Sequence, residues 1–337
     1  MNIVLTGGGT GGHVIPLLAL VNELKNRFDN IYFVGSETGV EKDLALSYGL
    51  PFFSVPSVKF VRKKLFANLK IPFALSRSVS LAKKLLKKLK PDVVFGKGGF
   101  ASLPVCIAAK KLRIPLAVHE SDASFGLANK LLLKKADLVM TNFDMQRKNC
   151  VTVGMPLRED LFSYSQSPHS RPIVLFVGGS SGAQSLNACI VEALGVLTEK
   201  YDVVHITGRG KATTLDVPHY TQIEYTDKIG RYLTDADVVI SRAGATAASE
   251  LVALNKRIIF VPLENSASRG DQLLNAEYYK TRGYADVLRE KHLSPKILIR
   301  RIEKALTKPI PDNCFDKNVN SRICDLLSSL SKRSSCK

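Results

Sequence analysis

Apolar residues fall along this chain in two alternating rhythms. Short β-branched runs occur at 2–7 (NIVLTG), 30–35, 91–96, 114–120, 136–142 and 150–154. Between them apolar residues recur every three or four positions, as in PLLALVNELKNRF over 16–28. The first rhythm suits strands buried on both faces, and the second suits helices with one face toward a core. Their alternation predicts parallel sheets covered by helices. The rhythm restarts at 171–179 (RPIVLFVGG) and continues through 202–208, 237–241 and 257–263. Between the two sets lies SYSQSPHSRP (163–172), which is polar, aperiodic and reads as a domain edge. The expectation is an α/β chain of two Rossmann-like, doubly wound domains over 1–160 and 161–317, with a terminal helix at about 318–333 that packs back on the first.

The two halves open alike, with LTGGGTGGH in one and FVGGSSGAQ in the other. A strand that ends in glycines and runs into a small-residue helix start brings backbone N–H groups close to an anion. Two facing domains of this kind form a cleft at the carboxyl ends of their strands, where open α/β sheets bind ligands. Gly7, Gly9 and Gly12 spell GxGxxG, but the acid a dinucleotide ribose needs is misplaced: the second strand ends Val34-Gly35-Ser36, with Glu37 one step late. An ATPase loop needs Gly-Lys-Ser/Thr, and Gly96-Lys97-Gly98-Gly99 lacks the hydroxyl. In the second half, a helix opens Ala245-Thr246-Ala247-Ala248-Ser249-Glu250, small residues followed by a carboxylate suited to a ribose diol. The polar loop ENSASRGDQLLNA (264–276) carries Asp271, Gln272 and Asn275, which suit sugar hydroxyls, although Asp271 also suits a helix cap.

Charge adds a partner. The net charge is +18, and residues 1–155 hold 23 Lys and Arg against 10 Asp and Glu, a net of +13. Such asymmetry points to nucleic acid or an anionic membrane. Aromatic content is 7 %, tryptophan is absent and no RNA-binding signature occurs, which argues against nucleic acid. Residues 59–90 carry 11 Lys and Arg and no acid. Leu75, Val79, Ala82, Leu86 and Leu89 form a helical stripe expected to face the sheet. Leu65, Phe66, Leu69, Ile71 and Phe73 stand among the positive charges and are the expected membrane contact. No run of 18 uncharged apolar residues occurs, and the amino terminus runs from an apolar stretch straight into glycines, as a first strand does and a signal peptide does not. The cysteines at 106, 150, 189, 314, 324 and 336 have neither CxxC nor metal-ligand spacing and are expected to be reduced thiols.

Seven motifs in register carry a family resemblance: TGGGTGGH (6–13), PDVVFGKGGFAS (91–102), HESD (119–122), GMPLRED (154–160), GGSSGA (178–183), SRAGATAASE (241–250) and SRGDQLLNA (268–276). Over residues 1 to about 290 the chain resembles the peptidoglycan-synthesis enzymes of glycosyltransferase family 28, the undecaprenyldiphospho-muramoylpentapeptide β-N-acetylglucosaminyltransferases. The resemblance implies a GT-B fold and a peripheral enzyme on the cytoplasmic side of the cell membrane. It implies inverting transfer of N-acetylglucosamine from its UDP ester to the 4-hydroxyl of lipid I, giving lipid II, without metal or cofactor. Other UDP-sugar enzymes of this fold, such as a 2-epimerase or a glycolipid transferase, are the alternatives.

The family's donor site falls here on Thr10, Gly11, Gly12, Arg158, Ser180, Thr226, Ala245 to Glu250, and Gln272, with Asn187 at another functional position. Ser180 and the first loop are implied pyrophosphate contacts. The resemblance likewise implies Thr226 beside uracil through its backbone, Glu250 on the ribose and Gln272 on the sugar. Asp122 stands where many relatives have asparagine, Phe100 where they often have tyrosine, and the loop before Gln272 reads SRGD rather than a glutamine-rich form. Inverting transfer needs a base for the acceptor hydroxyl. His13, at the end of the glycine loop and with an ordinary pKa of about 6.5, is the first candidate, and Glu120 is the second. The DAD at 235–237 mimics a metal motif but leads directly into a strand, and reads as a turn.

Overall fold

The computed structural model describes residues 1–57, 71–179, 183–264, 270–310 and 315–335. The chain forms two compact units, one of residues 1–158 with 316–337 and one of residues 159–315.

The first unit is built on seven parallel strands: β1 (Asn2–Thr6), β2 (Asn30–Gly35), β3 (Phe52–Ser54), β4 (Val93–Gly96), β5 (Leu116–Glu120), β6 (Leu138–Thr141) and β7 (Val151–Thr152). Their order is β3-β2-β1-β4-β5-β6-β7. The helices are α1 (Gly11–Leu18), α2 (Val21–Lys25), α3 (Glu41–Ser47), α4 (Ile71–Leu89), α5 (Ser102–Lys111) and α6 (Leu127–Leu132). Val79, Ala82, Leu86 and Leu89 of α4 are buried in one cluster with Val4, Val34, Val94 and Val118 of the sheet. The helical stripe thus faces the sheet.

The carboxyl-terminal helix, Val319–Ser335, packs on α2 and β4. Ile323, Cys324 and Leu327 are fully buried there. Asn320 clips the helix to the main chain of Leu157, its amide donating to the carbonyl at 2.8 Å and its oxygen accepting from the N–H at 3.2 Å. Arg322 donates to the Val153 carbonyl at 2.6 Å.

The second unit repeats the winding with six parallel strands: β8 (Ile173–Val177), β9 (Asp202–Ile206), β10 (Tyr220–Ile223), β11 (Val238–Ser241), β12 (Arg257–Phe260) and β13 (Asp286–Val287). Their order is β10-β9-β8-β11-β12-β13. Helices α7 (Gln184–Lys200), α8 (Ile229–Asp235), α9 (Ala245–Ala253), α10 (Asp271–Thr281) and α11 (Pro295–Thr307) cover it. In both units the first strand lies at the point where the strand order reverses, and a glycine-rich loop follows it. That reversal point is the binding position of doubly wound sheets.

Because Leu327 is fully buried and Leu131 is 52 % exposed, Leu327→Ala should cost the first unit roughly 2–4 kcal/mol while Leu131→Ala should stay within about 0.5 kcal/mol. Chemical denaturation measures both, and equal losses would contradict the packing of the terminal helix.

Candidate functional site

At the carboxyl end of β1 the chain turns through Gly7 and Gly8, both buried, and Gly9, whose φ of +87° is left-handed. Thr10, in extended conformation, precedes α1, which begins at Gly11 and Gly12. His13 is half-buried in the first turn, its Nδ1 3.1 Å from the Thr10 hydroxyl. A carboxylate that the sequence reading passed over shapes this loop. Glu41 of α3 is fully buried and accepts from the Ser36 N–H at 2.9 Å, the Ser36 hydroxyl and the Gly9 N–H at 3.3 Å. One amide of the GxGxxG loop is therefore engaged by the protein's own acid, unlike a loop built to surround a dinucleotide. The only signal in the sequence was an acid one turn beyond a small-residue strand end.

A second glycine loop meets the first. Gly98 and Gly99 follow β4 with φ of +86° and +80°. A side chain on Gly99 would overlap the Gly8 carbonyl oxygen and reach within 3.5 Å of His13 Nδ1. Glycine is required there both for its φ and for this close approach.

Beyond β5 lies HESD. Glu120 accepts from the N–H groups of Ser121 (2.9 Å), Asp122 (3.2 Å) and Gly126 (2.9 Å) and from the Asn129 amide (2.9 Å). Both carboxylate oxygens are thus occupied in fixing the 121–129 loop, the geometry of a holding residue. His119 is fully buried, with Nε2 donating to the Gly154 carbonyl at 2.9 Å and Nδ1 facing Lys97 Nζ. Burial, and then the Lys97 charge, hold the His119 pKa well below the usual range. Lys97 is itself buried, which lowers it to about 7 against the opposing pull of Glu120 and Asp122. Asp122 is half-buried, as is Arg158, which ends the first unit's main segment.

In the second unit Ser180 lies outside the described residues. Asn187 of α7 donates to the Thr207 carbonyl at 3.0 Å, and its Oδ1 lies 3.1 Å from His205 Nε2. His205 Nδ1 is 2.9 Å from the Tyr220 hydroxyl. Both ends of the Asn187 amide therefore tie α7 to β9. Burial lowers His205 to about 4. Helix α9 starts after Gly244 without a side-chain cap. Ala245, Ala248, Ser249 and Glu250 are buried, and Thr246 and Ala247 are half-buried. The Ser249 hydroxyl lies 3.0 Å from that of Tyr279. Asn275 donates to the Ala243 carbonyl at 3.1 Å, so α10 braces the turn that leads into α9, and Gln272 accepts from the Leu263 N–H at 2.9 Å in the segment after β12. Thr226 is half-buried, its hydroxyl accepting from the Lys228 N–H at 3.0 Å.

Thr10, Gly11, Gly12, His13, Glu120 and Asp122 thus gather at the carboxyl edge of one sheet. Asn187, Thr226, Ala245 to Glu250 and Gln272 follow strands of the other. The DAD segment joins α8 to β11: Asp235 closes the helix and accepts from the Ser167 N–H at 2.8 Å, and Asp237, just before the strand, accepts from the Ile173 N–H at 2.8 Å. Leu65, Phe66 and Leu69 lie outside the described residues.

Residues 3–141 match the glycosyltransferase family 28 N-terminal domain, and residues 173–320 match the family 28 C-terminal domain. The chain belongs to glycosyltransferase family 28. It is 41 % identical over 318 residues to the UDP-N-acetylglucosamine–N-acetylmuramyl-(pentapeptide) pyrophosphoryl-undecaprenol N-acetylglucosamine transferase of Lachnospira eligens, covering 90 % of each chain. The protein of the same name from Lachnoclostridium phytofermentans is 41 % identical over 316 residues, 89 % of each. The crystal structure of Acinetobacter baumannii MurG superposes with a TM-score of 0.78 at 24 % identity, over 97 % of this chain and 99 % of that one. The fold of this family 28 member is therefore GT-B. A putative UDP-N-acetylglucosamine 2-epimerase from Listeria monocytogenes shares that fold at a TM-score of 0.71 and 13 % identity, over 98 % and 97 % of the two chains. Fold alone does not choose the reaction.

His205, at about 4 in the folded protein against about 6.5 when unfolded, stays neutral where the unfolded chain takes up a proton. Its contribution of about 3 kcal/mol is full above pH 6.5 and is lost as the pH falls toward 4. Urea unfolding should follow that course, and His205→Gln should flatten it. An unchanged pH dependence in the variant would contradict the buried neutral imidazole.

Proposed function

We propose that this chain transfers N-acetylglucosamine from UDP-N-acetylglucosamine to the 4-hydroxyl of undecaprenyl-pyrophosphoryl-N-acetylmuramoyl-pentapeptide, converting lipid I to lipid II with inversion. The observation that carries the reading is the 41 % identity, over nine-tenths of both chains, to relatives named for that transfer. The seven motifs supply the chemistry. In this reading the second unit holds the donor: Thr226 beside uracil, Glu250 on the ribose, Gln272 on the sugar and Asn187 orienting α7. Ser180, Arg158 and the start of α9 meet the charge that grows on departing UDP, because uncapped helix N–H groups stabilise an anion. Thr10, Gly11 and Gly12 approach the diphosphate through their backbone.

His13 is the proposed base. The Thr10 hydroxyl lies against its ring, and imidazole is the side chain most often suited to taking a proton near neutral pH. Glu120 serves by holding the 121–129 loop that presents Asp122, since its oxygens already accept four N–H donors.

The anionic partner is the cytoplasmic membrane surface rather than nucleic acid, and the chain binds it peripherally. No helix among the described residues is long and apolar enough to cross a membrane. Supporting the contact, Phe73 at the start of α4 is 81 % exposed, whereas Val79 and Leu86 of the same helix are buried. Leu65, Phe66 and Leu69 complete the proposed apolar contact.

Full-length protein incubated with UDP-N-acetylglucosamine should release UDP only when lipid I is present. Release without an acceptor would replace this reading with another UDP-sugar reaction. His13→Ala should lower kcat by about 10²–10⁴-fold and leave KM for the UDP-sugar within about twofold; equal turnover would remove His13 as base. Sedimentation with anionic liposomes should be salt-sensitive and should weaken in a Phe66→Ser/Phe73→Ser variant. Unchanged binding would place the membrane contact elsewhere.

A further inference from the structure

The repeated winding makes positions in the two units comparable. Strands β4 and β11 each flank the central strand of their sheet, on the side opposite β2 and β9. The residue directly after each is a buried cation: Lys97 is 1 % exposed and Arg242 is 9 % exposed. Each cation reaches across to the residue directly after the next strand. Lys97 Nζ donates to the Ser121 hydroxyl at 2.6 Å, just beyond β5. Arg242 Nη1 donates to the Val261 carbonyl at 2.9 Å, just beyond β12.

The two differ in their counter-charge. Arg242 pairs with Glu290 at 2.7 Å. Among the described residues Lys97 has no carboxylate within ion-pair distance. Its neighbours are His119 Nδ1, Ser121 Oγ and, at 3.7 Å, Met155 Sδ. Because His119 Nε2 donates to the Gly154 carbonyl, its Nδ1 presents a lone pair. Three acceptors therefore meet the three N–H bonds of an ammonium. A buried cation is costly unless hydrogen bonds compensate it, and these three partners do so here.

The geometry in question lies beside His13. The Lys97 N–H donates to the Thr6 carbonyl at 2.9 Å, which fastens the loop to the end of β1. Gly98 and Gly99 follow, and Gly99 lies against Gly8 and His13. On the other side, Ser121 sits between Glu120 and Asp122. We propose that Lys97 is a positioning residue for the transfer, holding the 96–99 and 119–122 loops in the shape that His13 and the acceptor require. This inference rests on the function proposed above.

The groups that face the ammonium are His119, Glu120 and Asp122, all from β5 and the loop beyond it. Glu120 and Asp122 favour the charged form, while burial opposes it more strongly, bringing Lys97 to about 7. Above that pH the amine has one N–H fewer than its three acceptors, and the hold on Ser121 slackens. The arrangement therefore ties the alignment of the two loops to pH through a buried group.

The test uses full-length native protein, Lys97→Met, Lys97→Arg and Ser121→Ala, with kcat and KM measured from pH 6 to 9 and thermal midpoints recorded. Native protein should show a kcat profile that falls on the alkaline side with an apparent pKa near 7. Lys97→Met should lower kcat at least tenfold at pH 6.5, keep KM for UDP-N-acetylglucosamine within twofold, and lose that alkaline limb. Lys97→Arg, charged throughout, should recover part of kcat without the limb. If the methionine variant does not fold, Ser121→Ala carries the test, with lowered kcat and unchanged KM for the UDP-sugar. A folded methionine variant, or failing that a serine variant, with native kcat and native pH profile would overturn the inference. Native protein that transfers nothing to lipid I would instead overturn the functional reading beneath it.

Discussion

A polar side chain buried where a parallel sheet meets its loops must find hydrogen-bond partners within the protein, and in this chain that requirement shapes the edge carrying the site. Parallel strands send all their carboxyl ends to one side, so charged and polar residues accumulate there. Glu41 satisfies the Gly9 and Ser36 amides, Glu120 satisfies three amides and Asn129, and Lys97 satisfies His119 and Ser121. Removing any of these would leave buried donors or acceptors unpaired, at about 1–3 kcal/mol each. The loops are consequently held in one shape before any substrate arrives. Such preorganisation is what a transferase needs, since charge develops on the leaving diphosphate faster than a protein can rearrange.

The same edge accounts for a division of labour between charges that serve structure and charges that serve chemistry. His119 and Glu120 are adjacent, polar and at a strand end, and on sequence grounds Glu120 stands as the second candidate base. Burial and hydrogen bonding commit both to the loop. His13, by contrast, is half-buried in the first turn of α1, with the Thr10 hydroxyl against its ring. In the second unit, Asn187 and His205 lock α7 to β9, while the start of α9 carries no side-chain cap.

Much of this was legible in the sequence because it rests on strong local patterns. Central strands such as Ile173–Val177 and Val238–Ser241 are continuous apolar runs, as strands buried on both faces must be. The strands that the pattern missed, Phe52–Ser54, Tyr220–Ile223 and Asp286–Val287, lie at or beside sheet edges and have two to four residues each, too few for a period to show. Glycine loops and small-residue helix starts were visible as motifs. The roles of Glu41 and Lys97 were not, because each depends on partners brought close by the pairing of β1 with β2 and of β4 with β5. Glu120 shows the opposite limit: its position was readable, but its commitment to four donors from the 121–129 loop is a property of the folded loop.

The account centres on inverting transfer to a single hydroxyl of a lipid-linked muramoyl peptide, and the most direct measurement is proton NMR of the sugar linkage formed by the native protein. The account predicts a β-linked N-acetylglucosamine on the 4-oxygen of the muramoyl residue, formed one for one with UDP. An α linkage, attachment at another oxygen, or a free epimerised UDP-sugar in place of a disaccharide would contradict it.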